Sequence, residues 1–227
     1  MPTADTLQYL AELEMNNTRE WYHAHKKEHE AARGAFRDLV QELMFRLAEH
    51  DPEILFHEPS DFIYRLVRDT RYSRSPDPYH TAYRAHIAAR GRMPIPVGFY
   101  LHIQPGDRSF LGAGLSYSWF KEATLMIRRR IVDREWEWEE IVGDPGFCGR
   151  FEIKGEKLKN VPRGFPPFHP QGEYLKHKSW YVQYPVRDVQ VKKKNFGEFA
   201  AGVFEALRPF NNFLNAALQG FEYPEGW

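Results

Sequence analysis

The sequence predicts an α+β fold: a mixed or antiparallel sheet with a long N-terminal helix and C-terminal helices packed on it. Helical periodicity dominates both ends of the chain, whereas short runs rich in β-branched and aromatic residues are grouped in the middle. This segregated order favours α+β over an alternating β-α-β arrangement. The chain has 227 residues, of which 42% are hydrophobic, and shows no repeat or linker-like change of composition. We therefore expect a single domain over residues 1–227.

The N-terminal part should contain a short helix and then a long one. Leucines at near-helical spacing predict a helix over residues 5–13. Asn17 and Glu20 then have the spacing of a capping box, in which the asparagine caps early amide groups and the glutamate reaches back. The long helix should end at Asp51 and Pro52, because proline disfavours helical backbone in the residue before it. The apolar face of this helix contains Ala32, Phe36, Leu39, Val40, Leu43 and Leu47.

The middle of the chain should form the sheet. Residues 62–68 (FIYRLVR) and 81–89 (TAYRAHIAA) are predicted strands, because apolar, aromatic and β-branched residues follow one another over short runs. Residues 97–117 predict a β-hairpin, since two such runs flank the turn sequence Pro105-Gly106-Asp107. This hairpin is the clearest β pattern in the sequence.

The remainder should be helical with one further hairpin and strand. Ser118 is placed to cap a helix that continues through an acidic segment to Val142. Residues 151–161 predict a short hairpin, and residues 180–186 (WYVQYPV) predict a strand. A helical pattern then continues almost to the C-terminus, and Pro209 should interrupt it because proline lacks the N–H that a helix interior needs.

Charge and composition narrow the classes of function. The 31 basic and 31 acidic residues cancel, so no global field would draw the chain to nucleic acid or to an anionic membrane, and any anion site must be local. Cys148 is the single cysteine, which excludes an intrachain disulfide and fits a reducing compartment. No run reaches the roughly 20 apolar residues of a membrane span. We therefore expect a cytoplasmic protein without membrane contact.

An arginine-rich segment at residues 65–80 is the main candidate site. Arginine suits phosphate and carboxylate groups because its planar fork donates paired hydrogen bonds and stays charged. The segment begins at the end of a predicted strand and contains two prolines, so less loop entropy is lost when its side chains are positioned. Asp69 is the candidate for orienting an arginine or for acid–base catalysis. The candidate ligand-binding residues of this segment are Arg65, Arg68, Arg71, Tyr79 and His80.

We interpret the segment as part of an anion-binding cleft for a small anionic or phosphorylated ligand. An enzyme of this kind would be a metal-free hydrolase or transferase, because preorganised arginines stabilise developing negative charge, and we expect no cofactor. Two alternatives remain open. Basic clusters at residues 128–130 and 192–194 would serve an RNA- or DNA-binding module if they lay beside the segment. In an interaction or scaffold protein, the arginines would instead form structural ion pairs.

A metal site is not expected from the one matching motif. His25 and His29 in HKKEH have the H-x-x-E-H spacing of a class of zinc peptidases. However, the neighbouring lysines and glutamates are typical of a solvated helix face, and the sequence indicates no third ligand.

Four blocks of the sequence occur in an order that resembles a known family. They are MNNTREWYHAHKKEHEAAR, YRLVRDTRYSRSPDPYHT, GFYLHIQPGDRSFLGAGL and LKNVPRGFPPFHPQGEYLKHKS. The chain resembles the conserved hypothetical proteins grouped as domain of unknown function 2461, which implies one family domain over about residues 5–220. The resemblance also adds Arg163, in a shared Arg-Gly-Phe, to the candidate ligand-binding residues. The family pattern has lysines where this chain has Pro76 and His80. The resemblance implies no activity.

Overall fold

The structure is a computed structural model that describes residues 2–69, 76–116, 118 and 120–226. About 49% of the chain is helix and 14% is strand, which confirms the predicted α+β class. The helices are α1 (Pro2–Met15), α2 (Arg19–Ala24), α3 (Lys26–Leu47), α4 (Pro59–Phe62), α5 (Lys121–Asp133), α6 (Glu135–Gly143), α7 (Pro145–Cys148), α8 (Gly172–Leu175), α9 (Asp188–Val191) and α10 (Phe196–Ala217), with a 3-10 helix at Pro52–Phe56. The strands are β1 (Tyr83–Ile87), β2 (Phe99–Ile103), β3 (Ser109–Leu115) and β4 (Trp180–Val186).

The chain divides into two compact units. Unit 1 comprises Met1–Arg92, Phe99–Leu111 and Pro185–Glu205, and unit 2 comprises Met93–Gly98, Gly112–Tyr184 and Ala206–Trp227. The chain passes from one unit to the other within β3, within β4 and within α10. The expectation of one domain stays a prediction.

The N-terminal helices of unit 1 follow the prediction in part, because the predicted long helix is divided in two and ends at Leu47, and its predicted cap is wrong. Thr18 caps α2, because its Oγ1 accepts a hydrogen bond from the Trp21 N–H at 3.2 Å. The prediction that Asn17 is the cap is wrong, because the Asn17 amide binds the backbone of Tyr79 instead. A break at His25 separates α2 from the long helix α3.

Helices cover the sheet of unit 1 through aromatic contacts. The predicted apolar face of α3 is buried, and Phe36 on it stacks on Tyr83 of β1 with ring centroids 5.3 Å apart. In the first part of α10, Phe204 stacks on Phe99 of β2 with centroids 5.0 Å apart. These contacts confirm that an N-terminal and a C-terminal helix pack on the sheet.

The sheet is antiparallel, in the order β1-β2-β3-β4. The predicted hairpin is confirmed as β2 and β3. Its turn places Gly106 and Asp107 at φ angles of 80° and 59°, a left-handed conformation that glycine and aspartate tolerate better than most residues. The carboxylate of Asp188 accepts hydrogen bonds from the amides of Gly106 and Asp107 at 2.9 and 3.1 Å, which fixes the turn within unit 1.

The predicted strand at residues 62–68 forms only in part. Phe62 ends α4, and the following residues pair at two isolated bridges, Ile63 with Ala85 and Val67 with Tyr79. The bridges differ in register, since the paired numbers sum to 148 in one and 146 in the other. A regular ladder requires one constant sum, so this segment is an irregular extension of the sheet beside β1.

Two predictions in unit 2 are wrong. Ser118 does not cap α5, which begins at Lys121 without a side-chain cap. Residues 151–161 do not pair with one another. Lys154 forms a bridge with Tyr181, and a second bridge joins Lys157 to His177, so this segment pairs with chain that follows it.

The predicted interruption at Pro209 is also wrong, because α10 is continuous across it. Proline removes one hydrogen bond from a helix interior, at a cost of about 3 kcal/mol. Burial of apolar side chains on both sides of Pro209 offsets that cost: Phe204, Leu207, Phe210, Phe213 and Leu214 are all at most 1% exposed. In unit 2, Asn211 of α10 accepts a hydrogen bond from the Gly114 N–H at 2.8 Å and donates one to the Gly98 carbonyl at 2.9 Å.

Within the described residues, no helix combines the length and apolar character needed to cross a membrane.

Candidate functional site

The arginine-rich segment is closed at its base by backbone hydrogen bonds. The Arg68 N–H donates to the Pro78 carbonyl at 2.8 Å, and the His80 N–H donates to the Leu66 carbonyl at the same distance. Residues 66–68 and 78–80 therefore run side by side. This pairing holds Arg68 and His80 close to the edge of the sheet.

Asn17 clamps this base from the N-terminal side. Its Oδ1 accepts a hydrogen bond from the Tyr79 N–H at 3.1 Å, and its Nδ2 donates to the Tyr79 carbonyl at 3.0 Å. The Tyr79 ring is 5% exposed and stacks on Tyr22 with centroids 4.2 Å apart. Burial raises the pKa of Tyr79, so its phenol stays neutral. The structure therefore places Tyr79 as a residue that positions the segment.

Replacing Asn17 with alanine should cost about 1–3 kcal/mol of stability, because two partly buried backbone groups of Tyr79 lose their partner. Asn17→Asp should cost less, since a carboxylate still accepts from the Tyr79 N–H. Urea unfolding of both variants measures this. The matched control is Asn16→Ala, which removes an exposed bond to the Glu12 carbonyl. An Asn17→Ala loss no larger than that of the control would contradict the clamp.

The predicted ligand-binding residues differ in their surroundings. Arg65 is exposed, whereas Arg68 is partly buried and its Nε atom has no hydrogen-bond partner in the described part of the chain. Asp69 is exposed at the start of the loop. Arg71 lies outside the described residues. Arg163 is an exposed residue of unit 2, so the site described below is built from unit 1 alone.

Arg84 is a site residue that the sequence analysis missed. It lies on β1, where its backbone carbonyl accepts from the Tyr64 N–H at 2.9 Å and its Cα is paired with that of His102 on β2. Its Cζ is 5.5 Å from the centroid of the Tyr64 ring. Like that of Arg68, its Nε is buried without a hydrogen-bond partner among the described residues. We call Arg68, His80 and Arg84 the arginine cluster.

The arginine cluster has a positive electrostatic environment. Burial lowers the pKa of His80 to about 4, and the charges of Arg84 and Arg68 act in the same direction. Burial likewise lowers the pKa of His102, with a smaller contribution from Arg84. Within the described residues, neither Arg68 nor Arg84 forms an ion pair. The cluster therefore presents two permanent charges and the neutral imidazole of His80, and the imidazole of His102 beside it is neutral as well.

Four partly exposed rings adjoin the cluster on the same part of the sheet. The Phe110 ring stacks on His102 with centroids 4.5 Å apart and on Tyr100 with centroids 5.7 Å apart. Tyr64 lies 6.2 Å from Tyr100, measured between centroids. We call Tyr64, Tyr100, His102 and Phe110 the aromatic face. Sequence alternation in the hairpin indicates that Tyr100 and His102 share a side of the sheet, but it does not indicate what they adjoin.

The two histidines of HKKEH have structural contacts. His25 stacks on Trp21 with centroids 4.1 Å apart, and its Nδ1 lies 2.8 Å from the Trp21 carbonyl oxygen. His29 is buried, and its Nδ1 is 3.0 Å from the Tyr83 hydroxyl. Across the described ranges, no group of three or more His, Cys, Asp or Glu side chains is placed to hold a metal ion.

Comparison with known proteins identifies the family of the chain. No curated protein and no solved structure matches it. The family model described as conserved hypothetical protein (DUF2461) matches residues 5–213, which is most of both units. The chain belongs to this family, the conserved hypothetical proteins of domain of unknown function 2461.

Proposed function

We propose that this protein binds a small anionic or phosphorylated ligand at the arginine cluster. The observation that carries the proposal is that the Nε atoms of Arg68 and Arg84 are both buried and have no hydrogen-bond partner within the described residues. A buried donor without an acceptor costs about 1–3 kcal/mol, and more when the group is charged. Phosphate or carboxylate oxygens would be acceptors for the remaining guanidinium N–H groups of both arginines, in the paired geometry that guanidinium favours.

Other arginines of the chain show how the fold satisfies this side chain when its role is structural. In unit 1, Arg108 donates to Glu14, with 2.8 Å between Nη1 and Oε1. In unit 2, the buried Arg128 donates to the carbonyls of Leu175 and His177 at 2.8 and 2.7 Å. Arg130 also has a buried Nε without a partner, but its Nη2 pairs with Glu137 at 2.8 Å. Arg68 and Arg84 form no ion pair among the described residues, and this contrast favours a ligand site over the alternative of structural ion pairs.

His80 would add a neutral donor to the site. Because its pKa is lowered to about 4, the imidazole is uncharged at neutral pH and carries one N–H. An anion bound beside it would raise that pKa, so the affinity should increase as the pH falls toward 4. The role of Asp69 in catalysis stays a prediction. None of the described residues of the cluster is an activated nucleophile.

Replacing either arginine with methionine should abolish most of the anion affinity. We expect Arg68→Met and Arg84→Met each to weaken binding of inorganic phosphate or pyrophosphate at least tenfold, measured by isothermal titration calorimetry. Without ligand, Arg84→Met should be as stable as the wild type or more stable by about 1–3 kcal/mol, because it removes a buried donor that has no partner. Arg37→Met, on an exposed face of α3, is the matched control.

Three results would test whether the arginine cluster binds an anion and which residues take part. Binding that persists unchanged in both variants would refute the proposal. A wild type that binds no anion, together with a strongly destabilised Arg84→Met, would show that the arginines are structural. In parallel, Arg163→Met tests the predicted contribution of unit 2: a loss as large as that of Arg68→Met would place Arg163 at the site.

A further inference from the structure

We infer that the phosphate bound at the arginine cluster belongs to a nucleoside phosphate, whose base stacks on the aromatic face. This inference rests on the proposed function and names the ligand class of the same site. Its basis is the adjacency of unpartnered arginines and partly exposed rings on one part of unit 1. Neither feature alone would distinguish a nucleotide from another phosphate or from ordinary packing.

The cations and the rings are interleaved by the strand pairing. Tyr64 is hydrogen-bonded through its backbone to Arg84, and Arg84 is directly paired with His102 on β2. Side chains at paired positions have Cβ atoms about 4.5–5.5 Å apart. Arg84 therefore lies beside His102 on the sheet, and its Cζ is 5.5 Å from the centroid of the Tyr64 ring. A nucleotide whose phosphate is bound at Arg84 can place its base on the neighbouring rings.

The rings offer flat faces on one part of the sheet. The Phe110 plane is inclined by 14° to that of His102 and by 26° to that of Tyr100, and the Tyr100 and His102 centroids are 6.4 Å apart, so the three rings form a compact group rather than a linear stack. All three residues are partly exposed. A planar base can lie against the exposed face of one of these rings, and base–aromatic stacking tolerates any base because every base has a π face. Aliphatic acids lack a flat face and would gain little from these rings.

One polar group of the aromatic face can contact the edge of a base. The Gln104 amide Nε2 donates to Thr81 Oγ1 at 3.3 Å, which leaves its Oε1 as the atom that lies 3.0 Å from His102 Nε2. That oxygen only accepts, so His102 carries its proton on Nε2, and its Nδ1 is an acceptor. An exocyclic amino group or a ring N–H of a base is a suitable donor for it.

A mononucleotide fits the charges better than a nucleic acid strand. The chain has no net charge, and the cluster contains two described arginines. Strand binding uses a continuous row of cations, each neutralising one phosphate. A pair of arginines with a neutral histidine is suited to the one to three phosphates of a nucleoside phosphate.

The test compares ligands that differ only in the base. Titrating the full chain with adenosine and uridine monophosphates, ribose 5-phosphate and inorganic phosphate should show the nucleotides binding at least tenfold more tightly than ribose 5-phosphate. Tyr100→Leu and Phe110→Leu should each bring that preference toward one. Phe168→Leu, which alters a ring 96% exposed in unit 2, is the matched control and should keep the preference.

Each other outcome has a definite meaning. If ribose 5-phosphate binds as tightly as the nucleotides and Arg84→Met abolishes both, the nucleotide inference is wrong and the proposed function stands. If no phosphate compound binds, both are wrong. If a single-stranded 12-mer binds with a steep salt dependence while the mononucleotides do not, the ligand is nucleic acid and the inference is overturned. The wild-type comparison decides these cases even where a variant fails to fold.

Discussion

Replacing Gly114 with alanine should lower the free energy of unfolding by about 2–5 kcal/mol, a large share of the roughly 5–15 kcal/mol typical of a folded protein. Gly114 lies on β3 with a φ of 91°, where a Cβ strains the backbone by about 1–2 kcal/mol. The added Cβ would also overlap the Trp180 carbonyl oxygen and lie 2.7 Å from Cε1 of Phe210. All three residues belong to unit 2.

Gly164→Ala separates the two causes of that loss. Gly164 has the same φ of 91°, but no other atom lies within 4 Å of the position that its Cβ would take. We expect this variant to lose only the backbone part, about 1–2 kcal/mol. Equal losses in the two variants, measured by urea unfolding, would show that the close approach at Gly114 has no energetic consequence.

Acidification should destabilise the wild type through His86 by about 3 kcal/mol between pH 6.5 and 4. His86 on β1 is 7% exposed, and its burial lowers its pKa to about 4. The unfolded chain, with an ordinary histidine pKa near 6.5, therefore binds more protons than the folded chain in this window. The free energy of unfolding falls as the pH falls from 6.5 to 4 and levels off below pH 4. Above pH 6.5, His86 is neutral in the folded and in the unfolded chain, so it does not change the stability there.

The measurement is the pH dependence of urea unfolding for the wild type and His86→Leu. The variant should lose less stability than the wild type over this range. The difference between the two curves isolates His86, because His80 and the carboxylates titrate in both proteins. His23→Leu changes an exposed imidazole and is the control. Parallel stability curves for the wild type and His86→Leu would show that His86 does not resist protonation.

Local sequence signals predicted the elements of the fold well. The hairpin follows from residues that lie next to one another, since Gly106 and Asp107 supply the left-handed turn between two apolar runs. The buried face of α3 follows from spacing alone. Errors arose where a residue distant in sequence competes for a side chain. Asn17 has the chemistry of a helix cap, but Tyr79, 62 residues away, takes both of its hydrogen-bonding groups.

The candidate site could be predicted only in part for the same reason. Arg68 was found because arginines accumulate around it in the sequence. Arg84 was missed because it is a lone arginine within an apolar run. Its role in the site depends on its pairing with His102 on β2 and on its hydrogen bond with Tyr64, which are distant in sequence. Strand register is a non-local property that one sequence does not specify. The absence of an ion-pair partner for Arg84 within the described residues likewise emerges only in three dimensions.

The discontinuous construction of unit 1 has a consequence for its synthesis. The part of unit 1 that ends at Leu111 cannot complete its packing until the part that ends at Glu205 has been made, because Asp188 binds the hairpin turn and Phe204 covers Phe99. At translation rates of about 5–20 residues per second, the ribosome needs roughly 5–20 s to make the intervening chain. For that time the growing polypeptide carries a hairpin whose apolar side lacks its final cover. Protection from aggregation is therefore needed most while the ribosome is still translating the middle of the message.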